Sequence, residues 1–415
     1  MDCQQVFAAL LADARIQKAL AFLKEDQHDK VEEQKAMALI PGAPHTEPDI
    51  RSPMYLDKLQ RYGLEDCFID SVGNALGYVR GNANRPKVVL EAHLDTVFPL
   101  ATPLQIVEKD GKIHCPGIGD NTAGLACVLS VLRAIRYAGL KPVGSLMLGG
   151  VVGEEAPGCS RGVKAIVAEH RDIDAYVAVE TRWTRRITLG GIACKRWEVT
   201  FSGPGGHSWL EWGLPSAVHA AGRAIAAMVA LSLPRAPKTV LNVGLARGGV
   251  SFNSIASTAT LQVEVRSEST ELCESFSDRI RILSEQAAAE ENAAHPSQGA
   301  RTNDRVRVTT SLYSSTPGGA QSQDSPIAHA ALEATRAVGV EPEIFPPSST
   351  NINFSLAAGI PSVCIGAGGD GGNLHSLDEW HDPTESYTGA QKALLLVFAL
   401  AGLDGVTPPL AAVRQ

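Results

Sequence analysis

Short apolar runs alternate with helical patterns over the first half of the chain. The runs KVVLEAHLD, VGSLMLGGVVGEE and DAYVAVE are flanked by glycine or charged residues, a pattern typical of buried parallel strands. Between the first two, TAGLACVLSVLRAIRYAGL repeats apolar residues at helical spacing and ends near Gly139 and Pro142. A strand over GIPSVCIGAGG and a helix over about residues 386–401 follow near the end. The pattern predicts an α/β fold with a mixed, mostly parallel sheet flanked by helices.

This rhythm changes between about residues 190 and 318. The order of elements there is strand (CKRWEVTFSG), helix (PSAVHAAGRAIAAMVAL), strand (TVLNVGLARG), strand (TATLQVEVRS), helix (ESFSDRIRILSEQAAAEENA) and strand (RVRVTTSLY). It is the order of the split βαβ unit, which is compact enough to form a separate α+β domain of the ferredoxin-like type. We therefore predict a catalytic domain of residues 1–189 and 319–415, interrupted by a domain of residues 190–318.

Histidines and carboxylates follow the predicted strands or lie in the glycine-rich loops between elements. Open α/β sheets place their ligand crevices at the carboxyl ends of the strands. Imidazoles combined with carboxylates form the mixed ligand set that zinc, manganese and cobalt accept, so the sequence predicts a site for one or two divalent ions that activate water. The candidate residues are His93, Asp95, Asp120, Glu154, Glu155, Glu180 and His375.

Each of these segments also has an ordinary structural interpretation. His93 with Asp95 is compatible with a buried histidine beside an acid, and Asp120 with a helix cap. Asp95 can instead accept the second ring N–H of a metal-bound His93. A solvated acidic turn at Glu154 and Glu155 is disfavoured by the largely apolar residues before it. Since the two glutamates leave a strand in different directions, one can bind metal while the other faces the attacking water.

Chain length, net charge and cysteine content limit the classes of protein and of binding partner that fit this sequence. A chain of 415 residues exceeds the size of a typical single core, which agrees with two domains. The formal net charge of -8 argues against nucleic acid or an anionic membrane as a partner. The N-terminal segment MDCQQVFAALLADARIQKAL is predicted to form an amphipathic helix and not a secretion signal. The eight cysteines lack C-x-x-C spacing, which is typical of free thiols in a reducing compartment, so we expect a cytoplasmic protein. The expected partner is a small-molecule substrate.

The segments EAHLDTVFP, GIGDNTAG, VVGEEAPG, DAYVAVE and HSLDEWHDP resemble, in order and spacing, the dinuclear metallohydrolases of metallopeptidase family twenty. That family includes aminoacylase, peptidase T, succinyl-diaminopimelate desuccinylase and glutamate carboxypeptidase. The resemblance, closest to the peptidase-T-like branch, implies a phosphorylase/hydrolase-like catalytic domain, Glu154 as general base and Asp95 as support for His93. It also implies two metal positions that share one carboxylate, the first held by His93, Asp120 and Glu180 and the second by Asp120, Glu155 and His375.

The inserted domain carries the same resemblance. GPGGHSW is similar to a lid motif whose histidine, here His207, reaches the active site of a partner subunit and stabilises the developing oxyanion, which implies a homodimer through the lid domain. Asn253 and Arg266 resemble lid residues that orient the substrate carbonyl and carboxylate. From the sequence alone, His207 is equally a turn histidine and Arg266 a surface residue paired with Glu264 or Glu268.

One position departs from the peptidase-T-like pattern. Asn351 in PSSTNINFSL stands where an acid is expected, and its amide can donate a hydrogen bond to a substrate. We therefore predict a substrate-binding role for Asn351 and expect altered substrate choice. A flat anionic substrate would suit Trp209, Trp212 and the three arginines of ETRWTRR if these side chains face the cleft. Otherwise the tryptophans pack within the lid and the arginines are solvated surface charges.

Three functions remain open at this point. The main hypothesis is a hydrolase of a C–N bond in a small carboxylate-bearing substrate, such as an N-acyl amino acid or a short peptide. The second is a hydrolytic deaminase of an aromatic amine, because the resemblance extends to 5-nitroanthranilic acid aminohydrolase. The third is a catalytically silent ligand-binding relative, which predicts a missing ligand or base, although every position of the set is filled.

Overall fold

The structure is a computed structural model and describes residues 1–156, 158–295 and 304–414. The helices are α1 (Cys3–Ala12), α2 (Ala14–Glu25), α3 (Gln27–Ala38), α4 (Arg51–Arg61), α5 (Thr122–Ala138), α6 (Arg161–Glu169), α7 (Ala217–Val229), α8 (Thr270–Ala294), α9 (Pro326–Ala337), α10 (Ile352–Ala357) and α11 (Tyr387–Ala401).

Among the described residues, the strands form one eight-stranded sheet, two four-stranded sheets and two two-stranded ribbons. They are β1 (Glu65–Ile69), β2 (Ala75–Val79), β3 (Lys87–His93), β4 (Val107–Lys109), β5 (Lys112–His114), β6 (Ser145–Val151), β7 (Ile173–Glu180), β8 (Arg186–Thr188), β9 (Gly190–Gly191), β10 (Ala193–Ser202), β11 (Gly206–His207), β12 (Thr239–Gly248), β13 (Ser254–Ile255), β14 (Thr258–Ser267), β15 (Arg307–Thr316), β16 (Gly319–Ala320), β17 (Glu343–Phe345), β18 (Ser362–Gly366), β19 (Asp370–Gly372) and β20 (Trp380–Asp382).

The chain divides into two compact units. The first comprises Met1–Gly191 with Ala320–Gln415, and the inserted unit comprises Ile192–Gly319. The domain boundaries expected from the sequence, at residues 190 and 318, lie within two positions of these limits.

The first unit is built on an eight-stranded sheet of order β1-β2-β6-β3-β7-β18-β8-β17. Its centre, β6-β3-β7-β18, is parallel, and antiparallel pairs join β2 to β6 and β18 to β8. Alternate residues of β3 enter different cores: Val88 and Leu90 pack with α5 and α11, and Val89 packs with α6 and α10. Both faces are therefore covered, as buried parallel strands require. The predicted α/β fold class is confirmed.

The inserted unit has a four-stranded antiparallel sheet of order β12-β14-β10-β15. Helices α7 and α8 pack against it through a separate apolar cluster that includes Phe201, Ala224 and Ile280. The elements follow the strand, helix, strand, strand, helix, strand order expected from the sequence. This core belongs to the inserted unit alone.

The N-terminal segment differs from the expected single helix. It forms α1 and α2, which are separated at Asp13. The Asp13 carboxylate accepts the backbone N–H groups of Arg15 and Ile16 at 2.8 and 3.3 Å and so caps a new helix. The apolar spacing continues across this break, which is why the sequence pattern did not show it.

Candidate metal centre

The candidate ligands lie along one edge of the central sheet. Strand β3 ends at His93 and its parallel neighbour β7 ends at Glu180. Strand β6, on the other side of β3, ends shortly before Glu154 and Glu155. Because carboxyl ends of adjacent parallel strands meet at one edge, the sheet itself brings these side chains together.

Two groups of ligand atoms share the carboxylate of Asp120. The first is formed by His93, Asp120 and Glu180, and the second by Asp120, Glu155 and His375; in each, the atoms lie within 4.8 Å of one another. His93 Nε2 is 2.9 Å from Asp120 Oδ1, and His375 Nε2 is 3.3 Å from Asp120 Oδ2. Each oxygen of Asp120 thus faces a different histidine, as a carboxylate between two ions must. His375 Nε2 is also 2.9 Å from Glu155 Oε1.

The carboxylates of this cluster outnumber the nearby cationic groups. Burial, and after it the charge of Glu155, raise the pKa of Glu154 well above its ordinary value. Burial also raises the pKa of Glu180 to about 7. Although burial alone would raise it, hydrogen bonds from both histidines hold the pKa of Asp120 well below its usual range. A bound cation would stabilise the charged forms of these crowded carboxylates, and the set of imidazole and carboxylate ligand atoms fits one or two divalent metal ions.

Asp95 organises the glutamate loop more directly than it supports His93. Its Oδ1 and Oδ2 accept the backbone N–H groups of Glu154 and Glu155 at 3.0 and 2.8 Å. His93 Nδ1 lies 3.0 Å from the backbone carbonyl oxygen of Asp95 and 3.6 Å from its carboxylate. Asp95 therefore lies beside His93, and its carboxylate fixes the backbone of Glu154 and Glu155 after the end of β6.

Two residues that fix the loop around Asp120 were not predicted. Glu379 is fully buried, and its oxygens accept the backbone N–H groups of Gly117, Gly119 and Asp120 at 2.9, 2.8 and 2.8 Å. Asn121 caps α5, because its side-chain oxygen accepts a hydrogen bond from Gly124 N–H at 3.2 Å. The sequence had left this capping role open for Asp120. The same Asn121 oxygen accepts from the N–H that follows Glu180, at 3.1 Å. The position of Glu379 in HSLDEW, close after His375, was the available signal.

Asn351 lies in the interior of the first unit. It is 1% exposed, and its Nδ2 lies 3.2 Å from both carboxylate oxygens of Glu91. Glu91 precedes His93 by two positions on β3, and burial raises its pKa to about 8. The structure therefore places Asn351 against a buried acid of the sheet. Its contact with a substrate stays a prediction.

The arginines that follow Glu180 differ in their surroundings. Arg185 is exposed and pairs with Glu343 at 2.9 Å, so it is the solvated charge that the sequence left as one alternative. Arg182 lies over the ring of Trp183, 4.1 Å from the ring centroid. Arg186 is half-buried and lies near enough to Glu180 to influence its pKa, while its hydrogen bonds to Thr181 and Thr188 measure 3.4 and 3.4 Å.

The inserted unit brings His207 and Asn253 together. Strands β11 and β13 pair antiparallel, and Ser208 N–H donates to the backbone oxygen of Asn253 at 3.1 Å. The Nδ1 atom of His207 accepts from the N–H groups of Trp209 and Leu210 at 3.2 and 3.4 Å. An imidazole that accepts at Nδ1 carries its proton on Nε2 when neutral, so the outer nitrogen of this exposed ring is a hydrogen-bond donor.

Arg266 is held by an ion pair within the inserted unit. Its Nε and Nη2 atoms lie 2.7 and 3.1 Å from the two carboxylate oxygens of Glu264. Arg196 Nε also contacts Glu264, at 2.7 Å. This is the pairing with Glu264 that the sequence left as the alternative for Arg266. The predicted contact with a substrate carboxylate would require the guanidinium to exchange this partner.

Large apolar side chains surround His207 on the surface of the inserted unit. Trp209 and Trp212 are 83% and 82% exposed, and Phe252, next to Asn253, is fully exposed. Exposed aromatic residues in one region are typical of surfaces that bind another protein or a ligand.

Comparisons with known proteins agree on the family. A model of peptidase family M20/M25/M40 matches residues 89–398. A peptidase M20 domain-containing protein of Schizosaccharomyces pombe is 30% identical over 214 residues, which are 50% of this chain and 51% of that protein. The chain therefore spans about half the length of the curated relatives it matches.

Solved structures share the fold. A tripeptidase of Staphylococcus aureus superposes with a TM-score of 0.74 at 22% identity, covering 89% of this chain and 97% of that one. A dinuclear metal-binding peptidase of the M20 family from Bacillus subtilis has a TM-score of 0.65 at 15% identity, covering 91% and 99%. Within the described residues, every helix is too short or too polar to cross a bilayer.

Proposed function

This chain belongs to peptidase family M20/M25/M40, and we propose on that premise that it is a metal-dependent hydrolase of an amide C–N bond. The substrate is a small carboxylate-bearing molecule, such as an N-acyl amino acid or a short peptide. The observation that carries this proposal is the sharing of Asp120 between two groups of ligand atoms at the end of the central sheet. The tripeptidase among the structural neighbours is consistent with such a substrate.

The metal-binding residues proposed are those of the two groups, with zinc, manganese or cobalt as the candidate ions. When bound, such ions lower the pKa of a water molecule and polarise the scissile carbonyl. The protein itself holds the loops that carry the proposed metal ligands in fixed positions. Glu379 holds the backbone around Asp120, and Asn121 ties that loop to the residue after Glu180. Both contacts support a ligand set that is already ordered when an ion binds.

Glu154 is proposed as the general base. Its carboxylate lies within reach of His93 and Glu155, but it belongs to neither group that contains Asp120. Its backbone N–H is held by Asp95 at 3.0 Å, so the side chain starts from a fixed position. It would accept a proton from the attacking water and return it to the leaving nitrogen.

Arg186 is proposed to bind the carboxylate of the substrate. The charges of Glu180, Asp120 and Glu154 act on its guanidinium, and within the described part of the chain no ion pair under 4.0 Å joins it to an acid. Its contacts to Thr181 and Thr188 are long, at 3.4 and 3.4 Å, which leaves its planar donor fork available.

His207 is proposed to act in the active site of a second subunit of a homodimer. The Nε2 donor of His207 is exposed, and the aromatic residues around it offer a surface that a second copy of the chain would bury. A preorganised donor of this kind stabilises the oxyanion that develops as the carbonyl is attacked. Asn253, which is fixed beside His207, would orient the same carbonyl.

The test is a substrate panel on protein stripped of metal and reloaded with manganese or zinc. The panel contains N-acyl amino acids, dipeptides, tripeptides and 5-nitroanthranilate, with acid, amine and ammonia release measured separately. We expect metal-dependent release of an amine or amino acid, abolished in Asp120→Asn and unchanged in Asp110→Asn, which makes the same chemical change at an exposed turn. Ammonia release from 5-nitroanthranilate, with no turnover of the other compounds, would contradict the amidase proposal and support an aromatic deaminase. Metal binding without any turnover would favour the ligand-binding relative.

A further inference from the structure

A second group of histidine and carboxylate side chains lies within the inserted unit. His219 on α7, Glu291 on α8 and His295, the residue that follows α8, place their ligand atoms within 4.8 Å of one another. His219 Nδ1 is 3.3 Å from Glu291 Oε1, and His295 Nε2 is 3.5 Å from the same oxygen. Two imidazole nitrogens thus converge on a single carboxylate oxygen.

These separations fit metal ligands better than hydrogen-bond partners. An N–H···O hydrogen bond usually spans about 2.7–3.2 Å. Ligands about 2.0–2.2 Å from a tetrahedral zinc ion lie about 3.4 Å from each other. The distances from Glu291 Oε1 to His219 and His295, 3.3 and 3.5 Å, bracket that value.

Two further protein groups hold the carboxylate at the centre of the group. Glu291 is fully buried, its Oε2 is 3.0 Å from Arg223 Nε, and its Oε1 accepts from Ser216 N–H at 3.0 Å. His295 follows the last turn of α8, four residues after Glu291, and its ring reaches back to the Glu291 carboxylate. Metal-binding carboxylates are commonly oriented by such outer hydrogen bonds.

We propose that His219, Glu291 and His295 bind a divalent metal ion, with zinc the best match to two imidazoles and one carboxylate. The His219 side chain is 66% exposed, so the ion is reached from solvent and keeps a position for water. Bound there, the metal joins α7 to α8 and stabilises the fold of the inserted unit. This site uses none of the residues proposed for hydrolysis.

The experiment is zinc binding by the full chain, in competition with a chromophoric chelator. The double variant His93→Ala/His375→Ala disables the first metal centre, and zinc that remains bound is counted. We expect about one zinc per chain in this background. Adding His219→Ala should weaken that binding at least about tenfold and abolish the rise in Tm that zinc produces. His329→Ala, which removes an exposed imidazole of the first unit, is the matched control and should change neither.

Zinc binding that persists unchanged when His219 and His295 are both replaced would overturn the proposal. Absence of bound zinc at micromolar concentration in the His93→Ala/His375→Ala background would overturn it equally. If that background does not fold, the count is made on the otherwise unmodified chain. There His219→Ala must bind about one zinc fewer than His329→Ala, and equal counts would again refute the site.

Discussion

Glu379 accepts a hydrogen bond from the backbone N–H of Asp120 at 2.8 Å, and so holds the carboxylate proposed to bridge two ions. The same side chain accepts from Gly117 and Gly119, so one buried glutamate fixes the whole loop before α5. The loop's conformation depends on a residue about 260 positions away in the sequence.

We expect Glu379→Gln to weaken metal binding by about 10–100-fold, because an amide cannot accept at both ends and leaves a backbone N–H without its partner. Metal content after dialysis and the metal concentration that gives half-maximal activity measure the effect. Glu385→Gln, an exposed neighbour, serves as control. Metal affinity that is equal in Glu379→Gln and the control would show that the loop does not need this anchor.

His207 and Glu154 should complement each other between subunits. If His207 acts in the partner's active site, His207→Ala and Glu154→Gln are each inactive as homodimers. A heterodimer of the two retains one site with both residues intact. Mixing the variants after reversible dissociation should therefore restore about a quarter of the wild-type activity, given random pairing in a two-fold dimer.

Activity in the mixture no greater than the sum of the two variants would place His207 outside the partner's site. A control mixture of Glu154→Gln with Glu155→Gln tests the assignment, because both changes fall in the same subunit's site. That mixture should remain inactive. The oligomeric state of each mixture is checked by light scattering.

Asn351→Leu should affect stability more than substrate binding. The amide of Asn351 is buried against Glu91, so its loss removes a hydrogen-bond donor from a buried acid and should cost about 1–3 kcal/mol of unfolding free energy. Chemical denaturation measures this, and KM on the substrate found in the panel measures the alternative. An increase in KM with unchanged stability would support the substrate-binding role predicted from the sequence.

His381 should make the protein sensitive to acid. Burial lowers the pKa of His381 to about 3 from its ordinary 6.5, and neither ring nitrogen has a hydrogen-bond partner among the described residues. Between these two values the unfolded chain binds one more proton than the folded chain. The free energy of unfolding therefore falls as the pH decreases through this window.

We expect His381→Leu to remove this contribution. From pH 7 to pH 4, the wild-type protein should lose roughly 3 kcal/mol more stability than the variant. Urea unfolding at both pH values measures the difference, and His329→Ala, at an exposed position, should behave like wild type. Parallel losses in wild type and His381→Leu would show that His381 is protonated at a similar pH in both states.

The sequence predicted the sheet and the candidate ligands together because both depend on local pattern. His93 and Glu180 are the last residues of two buried strands, and Glu154 follows a third by three positions. The parallel order of the strands then brings the side chains to one edge, a step that follows from topology without knowledge of distances.

What the sequence did not predict depends on contacts between distant segments or on side chains in unusual surroundings. A glutamate in a polar loop segment such as HSLDEW is expected at the surface. Glu379 is nevertheless fully buried, and three backbone N–H groups donate hydrogen bonds to its carboxylate. Asn351 was assigned to the substrate because it stands where the peptidase-T-like pattern has an acid. Its partner Glu91 lies 260 positions away in the sequence, so local pattern did not show the contact. The break between α1 and α2 depends on the cap at Asp13, which leaves the apolar spacing unchanged.

The most direct test of the account compares two adjacent glutamates, Glu154→Gln and Glu155→Gln, by kcat and by metal content in the same preparations. If Glu154 is the general base, Glu154→Gln keeps the wild-type metal content and loses about 10²–10⁴-fold in kcat. Glu155→Gln, which removes a proposed ligand, should lose metal together with activity. A Glu154→Gln protein with full metal content and kcat within a factor of about ten of wild type would contradict the account.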